Sequence, residues 1–140
     1  MGDSTNRPIL AASAACFRDG RLLLARRAKP PQLWSLPGGR VELYETAADA
    51  ARRELLEETG VHADILGFAG YREAFLTGSD GNLARHFVIL AFAARWRSGE
   101  AIAGPEAAAV EWIAPAAVDL RETTEGLAEI VAAAREIVGA

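Results

Sequence analysis

Hydrophobic residues along the chain fall into short runs separated by polar turns, with helical spacing in two stretches only. Ile9 to Phe17 is almost entirely apolar, and Arg18-Asp19-Gly20 divides it from a second run, Leu22 to Ala25. Both runs are short and bounded by turn residues, so they predict strand, turn, strand. A proline-containing polar loop, Ala28 to Gln32, leads to a brief extended piece at Trp34 to Leu36, which Pro37 and Gly38-Gly39 are expected to stop. From Thr46 to Thr59 the pattern becomes helical, with Thr46 placed to cap, an interior rich in alanine and leucine, and Gly60 to end it.

His62 to Leu76 and Ala84 to Trp96 read as two strands joined by the polar loop Thr77 to Asn82. Within the second, Phe87 to Ala94 is apolar without alternation, the pattern of a strand covered on both faces. A turn at Ser98-Gly99-Glu100 and a loop at Gly104-Pro105 precede another strand, Ala108 to Ile113. The last element, Thr124 to Val138, sets Leu127, Ile130, Val131, Ala134 and Val138 on one helical stripe that faces the core. Two helices against a mixed sheet with doubly buried strands predict an α/β fold, an α/β/α sandwich.

The chain has 140 residues and 51% hydrophobic content, enough for one core and too little for two ordinary domains. Residues 1–8 read as a polar, flexible N-terminal arm and 9–140 as a single domain. A net charge of −4 gives no sequence-wide attraction for nucleic acid or an anionic membrane, so extended nucleic-acid binding is not expected, although a local basic pocket for a few phosphates is compatible. No apolar run approaches a membrane span, and the N-terminus lacks the pattern of a secretory leader, which makes the cytoplasm the expected compartment. The lone cysteine, Cys16, lies in an apolar run and reads as a small buried hydrophobe. A homodimer is compatible with the sequence.

The informative chemistry lies at the end of the first helix. Glu54, Glu57 and Glu58 stand at i, i+3 and i+4, so one helical face carries three carboxylates. They occupy the last turn, where the helix dipole already favours cations over anions. A solvated acidic surface is the ordinary reading of such a cluster. The alternative is a bound hard divalent ion, Mg²⁺ or Mn²⁺, because closely placed oxygen donors suit these rather than zinc. Neither His62 nor His86 has metal-ligand spacing with cysteine or another histidine. Ala47, Ala51 and Leu55 form a flank of small and apolar residues able to pack closely on the sheet, near the strand end carrying Gly38-Gly39.

Context decides between the two readings. Gly39, Glu45, Arg53-Glu54-Leu55, Glu57-Glu58, Gly60 and Val61 fill every fixed position of G-x5-E-x7-R-E-U-x-E-E-x-G-U, where U is a bulky aliphatic residue. By ordinary residue frequencies a chance match is on the order of one in ten million. The stretch resembles the signature of the Nudix hydrolases, and the order of elements resembles that family over most of the chain.

The resemblance implies an enzyme that hydrolyses phosphoanhydride bonds in a small nucleotide-like substrate. It implies Mg²⁺, with Mn²⁺ as a substitute, on Glu54, Glu57 and Glu58, with Gly39 counted in the metal site. Arg53 and Glu45 resemble the pair that braces the cluster. At Gly39 and Gly60 an added Cβ is expected to be strained because the backbone needs positive φ. A further acid in this family often comes from outside the helix, for which Glu106 is the first candidate and Glu111 the rival. The proton of the attacking water is expected on Glu54 or Glu106.

Arg26, Arg27, Trp34 and Tyr44 are candidate substrate contacts, arginine for phosphate and aromatic rings for a base, against structural roles for Trp34 and the arginines. Tyr44 is also a departure, since many relatives have glycine there. The Leu22 to Glu42 run resembles bacterial ADP-ribose and nucleoside triphosphate pyrophosphatases. Rival readings are a non-catalytic module that binds a nucleotide sugar and a hydrolase of RNA 5′ ends.

Overall fold

The computed structural model describes residues 7–77 and 83–140. The expected loop at Thr77 to Asn82 and the N-terminal arm therefore lie largely outside the described residues. Strands β1 (Ile9–Arg18) and β2 (Arg21–Arg27) form the expected hairpin, with Phe17 opposite Leu22. Short strands β3 (Trp34–Ser35) and β4 (Gly38–Arg40) follow. After helix α1 (Ala47–Thr59) come β5 (His62–Thr77), β6 (Leu83–Ser98), β7 (Ala107–Ile113), a short 3-10 helix at Pro115–Leu120, and helix α2 (Leu127–Val138).

The seven strands make one mixed sheet in the order β3-β2-β1-β6-β5, with β4 added to β1 and β7 to β2. Only β1 and β6 run parallel among these pairs, and all the others are antiparallel. The edge of β1 away from β6 is shared: β2 pairs with Phe17 and Arg18, whereas β4 pairs with Ala11, Ala12 and Ser13. Strand β2 turns away to join β7, and the divergence of β2 from β4 opens the sheet.

Alternation along the strands divides the core into two layers. On one face Ala12, Ala14, Cys16 and Leu23 pack with Ala50, Ala51 and Leu55 of α1. On the other, Ala15, Phe17, Leu22 and Leu24 pack with Leu127, Ile130, Val131 and Ala134 of α2. The helices thus cover opposite faces of one sheet, the α/β/α arrangement expected. In β6 the buried residues are Ala91, Ala93 and Ala94, contributed to both layers.

Three boundaries differ from the sequence reading. The extended piece stops at Ser35, ahead of Pro37 as expected, but Gly38-Gly39 then form a separate strand, β4, on β1, where Gly38 lies against Ser13 and a side chain would collide with the Ala12 carbonyl. Helix α2 starts at Leu127 rather than Thr124, since Gly126 at its N-cap is left-handed with φ 82°. The 3-10 helix at Pro115–Leu120 has no counterpart in the sequence reading; it buries only Val118 and carries no amphipathic repeat.

Candidate active site

Helix α1 begins where expected, with the Thr46 side chain accepting a hydrogen bond from the Asp49 N–H at 3.1 Å. It ends at Gly60, whose φ of 77° is the left-handed conformation expected of that residue. Its last turn contains no basic residue. The open carbonyls are satisfied instead by backbone N–H groups of the distant loop between β6 and β7, Ile102 to Thr59 O at 2.9 Å and Gly104 to Glu58 O at 2.7 Å.

Arg53 organises the carboxylates around it. Its Nε donates to Glu45 Oε2 at 2.7 Å and its Nη2 to Glu45 Oε1 at 3.0 Å, a two-pronged ion pair. Nη2 also donates to the Arg40 carbonyl at 3.0 Å, tying α1 to β4. Nη1 reaches Glu54 at 2.9 Å and Glu57 at 3.2 Å. One guanidinium therefore positions the helical acids against both the preceding loop and the sheet.

Glu54 and Glu58 are half-buried, while Glu57 is exposed. The Gly38 N–H donates to Glu58 Oε2 at 2.7 Å. Burial pushes the Glu58 carboxyl up to about 7; that hydrogen bond opposes the rise, and the charges of Glu54, Glu106 and Glu57 add to it. Burial also raises Glu54, opposed by Arg53 and reinforced by Glu57 and Glu106. Glu45 is held down at about 2, chiefly by the Arg53 hydrogen bond and then by the Glu42 N–H.

Gly39 requires correction. Its backbone is in β4 and has no positive φ. Glycine is needed because a Cβ there would come 2.5 Å and 2.6 Å from the two carboxylate oxygens of Glu54.

A cleft of about 470 Å³ opens beside this group. Gly38, Gly39, Arg40, Glu58 and Glu106 line one end, and Arg26, Arg27 and Lys29 line it from β2 and the loop after it. Glu106 is thus brought to the helical acids by the loop entering β7. Glu111 is not; both its oxygens are taken by Arg121 at 2.8 Å, away from the cleft.

Two aromatic candidates fall outside the cleft. Trp34 packs against the α2-side core, with the Arg121 guanidinium 4.8 Å from its ring centre. Tyr44 is 98% exposed and does not line the cleft; its φ of 68° explains why glycine suits this position. The sequence reading missed Arg72 and Thr124, which do line it. Arg72 reads as one more outward polar residue of an alternating strand, and nothing local marks it.

The donor set fits a hard divalent cation. It consists of carboxylates only, and burial and mutual repulsion raise the two half-buried ones, with Arg53 offsetting part of the rise at Glu54. Among the described residues, no three carboxylates are already gathered into a ligand cage. Arg53 draws oxygens of Glu54 and Glu57 toward itself.

The NUDIX domain pattern matches residues 7–134 of this chain. The chain belongs to the Nudix family. It is similar to a MutT-like protein of Streptomyces ambofaciens, 35% identical over 133 residues, covering 93% of this chain and 77% of that protein. It is also similar to a putative 8-oxo-dGTP diphosphatase of Bacillus subtilis, 36% identical over 101 residues, covering 71% of this chain and 62% of that one. Among solved structures, an ADP-ribose pyrophosphatase from Streptococcus suis superposes with a TM-score of 0.68 at 26% identity, covering 96% of this chain and 94% of that chain. The protein is a Nudix hydrolase, and enzymes of the family generally use divalent metals. Among the described residues, no helix of this Nudix chain is long and apolar enough to cross a membrane.

Proposed function

We propose that this chain is a Mg²⁺-dependent pyrophosphohydrolase, with Mn²⁺ able to substitute, that cleaves a diphosphate linkage in a nucleoside diphosphate bearing another group. Nucleoside triphosphates and ADP-ribose are the leading substrates. One observation carries the reading: Glu58, Glu106 and the Gly38-Gly39 strand share a single cleft with Arg26 and Arg27. Carboxylates at one end and cations along the wall fit a metal-neutralised polyphosphate.

Glu54, Glu57 and Glu58 would hold the metal, with Glu106 as the added carboxylate and Gly39 beside them. When bound, Mg²⁺ supplies positive charge to offset the charge that builds on the phosphate oxygens and lowers the pKa of the attacking water.

The remaining work belongs to the protein. Arg53, held by Glu45, fixes Glu54 and Glu57, and the Gly38 N–H fixes Glu58. Arg26 and Arg27 orient the phosphates in the cleft. Water adds to phosphorus, its proton passes to Glu54 or Glu106, and the bridging P–O bond breaks. The products are a monophosphate and either pyrophosphate or a second phosphorylated fragment.

The test is product release from a panel of nucleotides with Mg²⁺, with and without chelator. Chelator-sensitive turnover of at least one member is expected. A thermal shift with a nucleotide but no turnover of any would replace this reading with a binding module.

A further inference from the structure

At the other end of the same cleft stands an arginine that the proposed hydrolysis does not use. Arg72 pairs in register with Ile89 of β6, and Ile89 pairs with Ala11 of β1. Register partners share a face of the sheet, and all three line the cleft. Gly38, which holds Glu58, lies on β4 beyond the opposite edge of β1. Three strand spacings separate β5 from β4, about 14 Å in all. Phosphates gripped at the glutamates stay at the near end, whereas the sugar and base of a nucleotide extend across this distance.

The surroundings suit a flat, partly apolar group. Phe87, Ile89, Leu127 and Ile130 line the cleft with Arg72. Thr124, also in the lining, has a buried Oγ1 with no hydrogen-bond partner among the described residues. Arg72 likewise has no hydrogen-bond acceptor or ion pair among the described residues. Its pKa is lowered, first by burial and then by Arg27, with Glu125 opposing. A buried hydroxyl without a partner, as at Thr124, costs stability unless a ligand satisfies it, and the partly desolvated Arg72 guanidinium in the same cleft favours an acceptor-bearing ligand.

A guanidinium only donates, and its two-pronged contact is strongest with a ligand that presents acceptors side by side. Guanine does so with N7 and O6, whereas adenine sets an amino donor next to N7. We infer that Arg72 is the specificity-determining residue of this cleft and selects a guanine nucleotide through the N7 and O6 acceptors, with Thr124 as an additional hydrogen-bonding group. The inference rests on the hydrolase reading of the same site and narrows it to the base.

The experiment is kcat/KM for dGTP and dATP with Mg²⁺, in the wild type and in Arg72→Gln, with thermal melting as the folding control. The wild type should prefer dGTP by about tenfold or more, and Arg72→Gln should remove that preference mainly through KM, leaving dATP little changed. If Arg72→Gln does not fold, Arg72→Lys keeps the charge without the planar fork and should lose the same preference. An equal fall for both nucleotides, or a wild-type preference for dATP, overturns the inference. Turnover of neither excludes these two substrates and leaves the hydrolase reading to the full nucleotide panel. Calorimetric affinities for dGMP and dAMP then decide the role of Arg72, with tighter dGMP binding lost in the variant expected and equal affinities overturning it.

Discussion

The carboxylate of Glu54 lies directly against the α-carbon of Gly39, close enough that no side chain fits between them. Helix and strand meet there without spacing to spare. Gly39→Ala should displace Glu54 and lower kcat by about a hundredfold, the scale of a misplaced catalytic group. Because the backbone at Gly39 is not left-handed, the fold should persist. Kinetics and thermal melting check this together, and a near-normal rate would mean that Glu54 need not occupy that place.

Glu57→Gln and Glu58→Gln are expected to reduce turnover by orders of magnitude and to shrink the rise in melting temperature caused by Mg²⁺. Rates near the wild type in either would count against their assignment to the metal.

Glu54→Gln and Glu106→Gln should separate the two candidate bases. If Glu106 takes the proton, Glu106→Gln loses turnover and keeps the Mg²⁺-induced thermal shift, whereas Glu54→Gln, which also removes a metal ligand, loses both; an unaffected rate in Glu106→Gln would leave Glu54 as the base. Glu111→Gln is the control: its pairing with Arg121 is partly exposed, so the loss is confined to at most about 1 kcal/mol of stability. An activity defect at Glu111 with none at Glu106 would reverse the choice.

The Arg53–Glu45 pair makes a pH-dependent contribution to folding. Glu45 titrates at about 2 in the folded chain against an ordinary 4.5, so the folded state gives up that proton more readily than the unfolded one. The contribution is present above pH 4.5 and is lost as pH falls through the folded value. Glu45→Gln should therefore flatten the dependence of melting temperature on pH below 5. Arg53→Lys, which cannot make the two-pronged contact, should lower activity by about 10- to 100-fold.

Cys16 is fully buried, and burial pushes its thiol up to about 12 from 9.0. A thiol reagent at pH 8 should leave the native protein unlabelled and react fully in denaturant. Since the folded state retains the proton, this residue's contribution is complete below pH 9.0 and declines as pH rises toward 12. Fast labelling of the native chain would show that this layer of the core opens readily.

Much of this was legible because local signals agree with the global fold. Thr46, the alanine-rich interior and Gly60 define α1 without tertiary help, and the spacing of Glu54, Glu57 and Glu58 fixes their common face. Long apolar runs likewise announce β1 and β6. What could not be read depends on contacts between distant segments. Gly39 is glycine because of Glu54, not because of its own dihedrals. Trp34 and Tyr44 are near the cleft in sequence, but one packs on the core and the other projects into solvent. Arg72 joins the cleft only through the register of β5 with β6 and β1.

The loop that satisfies the carbonyl end of α1 through Ile102 and Gly104 also leads to Glu106. Insertions or deletions between Gly104 and Glu106 should consequently be poorly tolerated, because the anchor at Gly104 fixes how much chain remains to deliver Glu106. Variation in loop length, the usual route by which surface connections diversify, is restricted on this side of the molecule.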